Sequence, residues 1–261
     1  MPSEFLHTFV GIKTLKNLGL ISQRNIRLNV VASQGPDVFL YTPFDMDTYV
    51  WGNILHNEDK ASSFIQNLGE MLRLKYPSFA IAFASHYITD SIIHPYINAR
   101  TKTNQEHGQF ERAIDRAYME FLGIYPYSFR FSNILPKHVP YEIDIAIKDS
   151  IRSLQEETKY IVGYYTVAYK YMYTYHLVYD KAPFLVEISA NILSKLGITA
   201  LQEGLRNRPF PDPLNIRRKP WKQKNKIHYE DVIYMVERAV EKSIEVGRAY
   251  LKGSPLEIRS K

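Results

Sequence analysis

Apolar side chains recur at three- and four-residue intervals along most of this chain, and no stretch alternates strictly enough to predict a strand. The first helical pattern runs from Glu4 to Leu18, with Ser3 as a candidate N-cap and Gly19 as a stop. Ser22 opens a second segment that ends at Gly35-Pro36-Asp37, where the helix cannot continue and the Asp37 side chain can be aimed inward. Val38 to Gly52 is aromatic and irregular, and reads as a loop wall. Helical patterns return over Lys60 to Lys75, from Pro77 onward, and over Thr103 to Leu122. After a connection around Gly123, Tyr141 to Tyr179 reads as one long helix or two abutting ones, and a further helix is predicted over Pro183 to Leu196. Arg206 to Lys226, rich in Pro, Arg, Lys and Asn, reads as a long loop before a final amphipathic helix over Tyr229 to Leu251. With no repeat of fixed period, the expectation is an all-α, single-domain, multi-helix chain over 1–261.

Composition changes this picture in two ways. The chain has 261 residues and is 45% hydrophobic, enough to fill one large core. It contains no cysteine, which excludes both a disulfide framework and a thiolate metal site, so any metal is held by His and carboxylate. Such ligands suit Zn²⁺ best, with Mn²⁺ and Fe as alternatives. The formal net charge of +6 leans towards anionic partners. The opening residues show no basic segment followed by an apolar run, and no stretch is long enough to span a membrane, so a cytoplasmic protein is expected.

The chemistry gathers between Ala80 and Glu111. His86, Asp90 and His94 follow one another at four-residue steps in an apolar run. On a helix each such step turns the side chain by about 40° and lifts it by about 6 Å, so the three form a ladder on one face. His107 and Glu111 repeat the step on the next predicted helix. Buried imidazoles stacked on carboxylates need ion pairs or a metal to offset their desolvation. The ladder alone fits polar core packing as well as it fits a metal; the added HxxxE tips the reading to metal. His7, Asp37, His56, His86, Asp90, His94, His107 and Glu111 are together too many for one ion. They point to a cluster in which Asp90 bridges two metals, the arrangement that clamps the attacking and leaving oxygens of a phosphoryl ester.

The order His7, QGPD with Asp37, LH with His56, HYITDSIIHP and HGQFE resembles the zinc-dependent phospholipase C family, whose wider relatives include single-strand-specific nucleases. The late DPLNIRRKPW is similar to the small prokaryotic branch. The resemblance implies a multi-helix fold around zinc, with Asp37, His56, His86 and Asp90 as the first site and His94, His107 and Glu111 as the second. It further implies a third site from His7, the other oxygen of Asp90 and the amine and carbonyl of the N-terminal residue. Val38 stands where choline-selective relatives carry an aromatic, so headgroup preference does not carry over.

The expected activity is phospholipase C-like hydrolysis of a phosphoric ester by zinc-activated water, with Asp37 orienting the nucleophile or acting as base besides binding metal. The alternatives are a nuclease or small-phosphoester phosphatase of the same fold, or a metal-stabilised binding protein without turnover. The expected partner is a phosphoester, with phospholipid a candidate and nucleic acid a less favoured one. Plainer roles compete for several residues. His7 is as compatible with a partly exposed helix position as with a ligand. Asp115 is a candidate to orient a ligand or to pair with Arg112 or Arg116. The tyrosine-rich run from Tyr160 to Tyr179 reads mainly as core, and His138, His176 and His228 as ordinary surface or core residues. The basic residues Arg217, Arg218, Lys219, Lys222, Lys224 and Lys226 around Trp221 read as a solvated loop, with contact to anionic lipid or to a nucleic acid backbone as the alternatives.

Overall fold

The structure, a computed structural model, describes residues 4–154, 160–182 and 210–258. Within them the helices are α1 (Glu4–Asn17), α2 (Ile26–Ala32), α3 (Met46–Ile54), α4 (Glu58–Leu72), α5 (Pro77–Arg100), α6 (Asn104–Phe121), α7 (Tyr141–Arg152), α8 (Tyr165–Lys181) and α9 (Val232–Leu251). A 3-10 helix spans Gly35–Tyr41, and two short ones cover Pro126–Ser128 and Phe131–Ile134. The architecture is an all-α, multi-helix arrangement, as expected.

Its centre is α5, which packs against α1, α2, α4, α6 and α9. The reason is its sequence: every residue from Phe79 to Thr89 is buried, and a helix apolar around its circumference belongs inside. Burying a side chain such as Phe79 or Phe83 is worth about 1.5–3 kcal/mol, which holds this helix at the centre with the amphipathic ones packed over it. Two hydrophobic clusters form along α5. One joins its first half, through Tyr87, to α4, α7, α8 and the 3-10 helix. The other joins its second half, from Ile93, to α1, α6 and α9. The polar ladder lies in the seam between the two.

The helix ends follow local chemistry. Gly19, at φ 72°, closes α1, and the Leu20 amide returns to the Leu15 carbonyl at 2.9 Å. Thr103 caps α6 by accepting the Glu106 amide at 3.1 Å, and Asp231 caps α9 through the Tyr234 amide at 2.8 Å. The N-cap expected at Ser3 and the helix expected over Pro183 to Leu196 lie outside the described residues.

Four expectations are corrected. The stretch Val38 to Gly52 is half helix: the 3-10 segment continues to Tyr41, and α3 begins after Asp45, whose carboxylate caps it through the Thr48 amide at 3.1 Å. Aromatic residues mask the periodicity there because Phe39, Tyr41 and Trp51 all point into the core. Among its described residues, Tyr141 to Tyr179 holds two helices that do not abut, with non-helical backbone at 160–164 before α8. Strands occur: β1 (Trp221–Gln223) pairs antiparallel with β2 (Lys226–His228), in a register that sets Trp221 opposite His228. Three-residue strands are too short to show alternation. The described part of the long loop is therefore built rather than merely solvated. Trp221 is buried against Tyr96 and stacks on His228, with ring centroids 4.5 Å apart. Asn215, at φ 55°, donates to the carbonyls of Lys219 and Glu230, both at 3.1 Å.

Candidate metal centre

Four elements deliver their side chains to the α5 ladder. His7 comes from α1, Asp37 from the 3-10 helix, His56 from the turn between α3 and α4, and His107 and Glu111 from α6. All eight residues singled out in the sequence meet in one seam, as three neighbouring clusters of ligand-type atoms, two of which share His86. Asp37, His56 and His86 form one, His7, His86 and Asp90 another, and His94, His107 and Glu111 the third, with the atoms of each within 4.8 Å of one another.

Asp90 is the hub. Its Oδ2 lies 3.0 Å from His86 Nε2 and 4.0 Å from His56 Nε2, while its Oδ1 lies 3.3 Å from His7 Nε2 and 3.2 Å from His94 Nε2. Asp37 Oδ1 lies 3.0 Å from His56 Nε2. On the far side, Glu111 Oε1 is shared by His94 and His107 at 3.2 and 3.1 Å. The close approach of the QGPD turn depends on Gly35. It has φ 54°, and a Cβ there would sit 2.5 Å from the His86 ring.

Neighbours aim several of these groups. His56 Nδ1 donates to the Gly52 carbonyl at 2.6 Å, which orients the ring so that Nε2 faces Asp37 and Asp90. Asp115 accepts the amides of Phe5 and Leu6 at 2.9 and 3.0 Å, so it anchors the first turn of α1 and with it His7. This role had no signal in the sequence, because the partner amides lie 110 residues away. Gln34 ties the same turn to the approach to Asp37, donating to Thr8 Oγ1 at 3.0 Å. Glu4 accepts from the Tyr41 hydroxyl at 2.8 Å, and that oxygen also lies 3.1 Å from His176 Nε2, joining α1, the 3-10 helix and α8. His176 is thus a buried member of a polar network beside the centre, and His228 supports the hairpin. His7 is buried and stacked on His86, ring centroids 4.1 Å apart, rather than partly exposed.

The electrostatics are those of carboxylates wrapped in imidazoles. Burial alone would raise Asp90, but His86, His94 and His7 outweigh it and hold its carboxyl well below the usual range. Burial would likewise raise Glu111, and the hydrogen bonds of His107 and His94 override it, so this carboxyl is also depressed. Burial pulls His56 and His94 down, yet Asp37 acting on the first, and Asp90 and Glu111 on the second, carry both up to about 9. His7 is raised in the same way by Asp90 against its burial. His86, fully enclosed, is the exception, and burial keeps it below its ordinary value.

The donor set fits divalent metal. All the ligand-type atoms are imidazole nitrogen or carboxylate oxygen. His86 Nε2 and Asp37 Oδ2 are buried with no hydrogen-bond partner, although each has an oppositely polarised atom within 4.0 Å. Atoms close enough to attract but not aligned to share a proton are what a cation between them would satisfy.

A family model described as zinc dependent phospholipase C matches residues 6–177. The chain belongs to that family. Comparison with curated proteins and with solved structures gave no match. The stretch matched to the zinc dependent phospholipase C family contains all eight clustered residues, while the β-hairpin and α9 follow it. Among the described residues, no helix is long and apolar enough to cross a membrane. Family membership and the three clusters support a metal-dependent hydrolase.

Proposed function

We propose that this protein is a zinc-dependent hydrolase of phosphoric esters, phospholipase C-like in chemistry and acting in the cytoplasm. The observation that carries the reading is Asp90, whose two oxygens face different sets of imidazoles, as a ligand shared between ions requires. Asp37, His56, His86 and Asp90 hold one ion, and His94, His107 and Glu111 a second. His7 with Asp90 Oδ1 offers part of a third site. When bound, zinc supplies Lewis acidity, polarising phosphoryl oxygens and making water nucleophilic near neutral pH. Asp37 Oδ2, buried without a hydrogen-bond partner, is the acceptor we assign to orienting the nucleophile and taking its proton. His94 and His107, each about a third exposed or less, open the second cluster to an incoming ester.

The test combines elemental analysis of protein purified without chelator with turnover of a panel of chromogenic phosphodiesters, phosphomonoesters, phospholipid vesicles and single-stranded DNA. At least two divalent ions per chain are expected, with hydrolysis of a phosphodiester that chelator abolishes and zinc restores. One ion or none, or no turnover across the panel after zinc loading, would reject the reading. Turnover confined to DNA would convert it to a nuclease.

A further inference from the structure

Beside the exposed edge of the ladder lies a cleft of about 430 Å³, within the roughly 300–1,000 Å³ span of small-molecule sites. It is lined on the α5 side by Asp90, Ser91, His94 and Asn98, and on the other by Lys222 and Lys224 of the β-hairpin. The cleft thus joins two of the clustered residues directly to two lysines. Both lysines are exposed, and among the described residues neither has an ion-pair partner, whereas Arg218 nearby pairs with Asp231 at 3.6 Å. The hairpin holds them firmly: Trp221 is buried beneath β1, and the backbone pairs Lys222 with Ile227 and Gln223 with Lys226. That register leaves Lys224 and Asn225 as the turn, and Lys224 occupies a left-handed position at φ 52°. Glycine or asparagine takes such a position more cheaply. Lys224 thus stands at the turn and shares the cleft with Lys222, the two charges facing the same space as Asp90 and His94.

Resting on the hydrolase reading above, we propose that the hairpin is a second substrate-binding wall, and that the favoured ester carries a further anionic group, a carboxylate or phosphate, close to the scissile phosphate. Lys222 and Lys224 bind that group while the ladder faces the phosphorus. A quaternary ammonium in the same place is repelled. The anionic group belongs either to a lipid headgroup or to a soluble ester.

The experiment compares wild type, Lys222→Gln/Lys224→Gln, and Lys226→Gln, all zinc-loaded. Lys226 lies on the same hairpin but does not line the cleft. The substrates are p-nitrophenyl diesters of phosphate whose second alcohol is 3-hydroxypropionate, ethanol or choline. The double variant is expected to raise KM for the carboxylate ester about tenfold, with kcat and the ethyl ester held within about twofold, as loss of two partly screened ion pairs implies. The Lys226 variant should leave the order unchanged. In parallel, calorimetry of 3-phosphonopropionate and ethylphosphonate, with zinc content checked before and after, reads the hairpin without turnover. The extra carboxylate should tighten binding to wild type and give no advantage with the double variant. Vesicles of phosphatidylserine against phosphatidylcholine repeat the comparison on lipid. A charge preference on vesicles alone assigns the group to a headgroup, and one already present on soluble esters assigns it to the ester itself. The inference is overturned if all three esters change together, if Lys226→Gln has an equal effect, or if an anionic group brings wild type no advantage either in soluble binding or on vesicles. Absence of turnover with the calorimetric preference intact would reject the hydrolase reading and leave the anion site standing.

Discussion

The two halves of the candidate centre are built in opposite ways. Asp37, His56 and His86 come from three separate segments, and His86 is wholly buried beneath the Gly35 turn. His94, His107 and Glu111 come from two consecutive helices, and both imidazoles keep about a quarter to a third of their surface. The first cluster depends on distant packing, the second on the four-residue step of a helix. Asp90 lies between them, with one oxygen 3.0 Å from His86 and the other 3.2 Å from His94. This difference predicts that damage to packing should strike the first cluster, damage to a single side chain should stay local in the second, and only Asp90 should connect them.

The sharpest test of that connection is Asp90→Asn, which keeps shape but removes the charge. It should lower metal content at both clusters and cut turnover by more than about a hundredfold, since even outer partners of metal ligands cost about 10–100-fold. Elemental analysis and steady-state kinetics read this directly, and a variant with its full metal complement would return the ladder to polar core packing.

Gly35→Ala should be next in size. It combines a left-handed backbone with a collision against the His86 ring, and should destabilise the fold by about 3 kcal/mol or more. Its metal loss should concentrate on the first cluster, whereas His107→Ala should remove about one ion from the second and leave the melting temperature of the metal-free protein within a few degrees. Equal loss from both clusters in His107→Ala would break the comparison.

Proton linkage gives a third test. His56 and His94 stand at about 9 in the metal-free fold, above the ordinary histidine value of 6.5. The stability they contribute is therefore fully present below about pH 6.5 and is lost as pH rises through about 9. The metal-free protein should melt at progressively lower temperature across that window, and the zinc-loaded protein should not follow it. Zinc uptake near neutral pH should release protons, measurable by calorimetry in buffers of different ionisation enthalpy. A flat melting profile would show that the imidazoles are not held charged.

The smallest effect is expected for Asp115→Asn. Weakening its acceptance of two α1 amides should cost about 1–2 kcal/mol in thermal denaturation and loosen His7 while sparing the His107 cluster. No change in stability would show that α1 is held by its apolar face alone.

What the sequence determined by itself was mostly local. The spacing of His86, Asp90 and His94 places them on one face because a helix repeats every 3.6 residues. The helix start at Thr103 and the stop at Gly19 are equally local, and so is the absence of thiolate ligands. The order of the eight ligand-type residues, together with the family it resembles, pointed to one shared polar cluster. The tertiary structure decided what depends on partners far along the chain. It brought His7 and Asp37 onto α5, turned His56 by a hydrogen bond to Gly52, and made Asp115 an anchor for α1. It also converted a basic loop into a hairpin held by Trp221 and facing Asp90 and His94. Long-range contacts of this kind are chosen by which surfaces can be buried together, and a linear pattern of residue types carries no record of that choice.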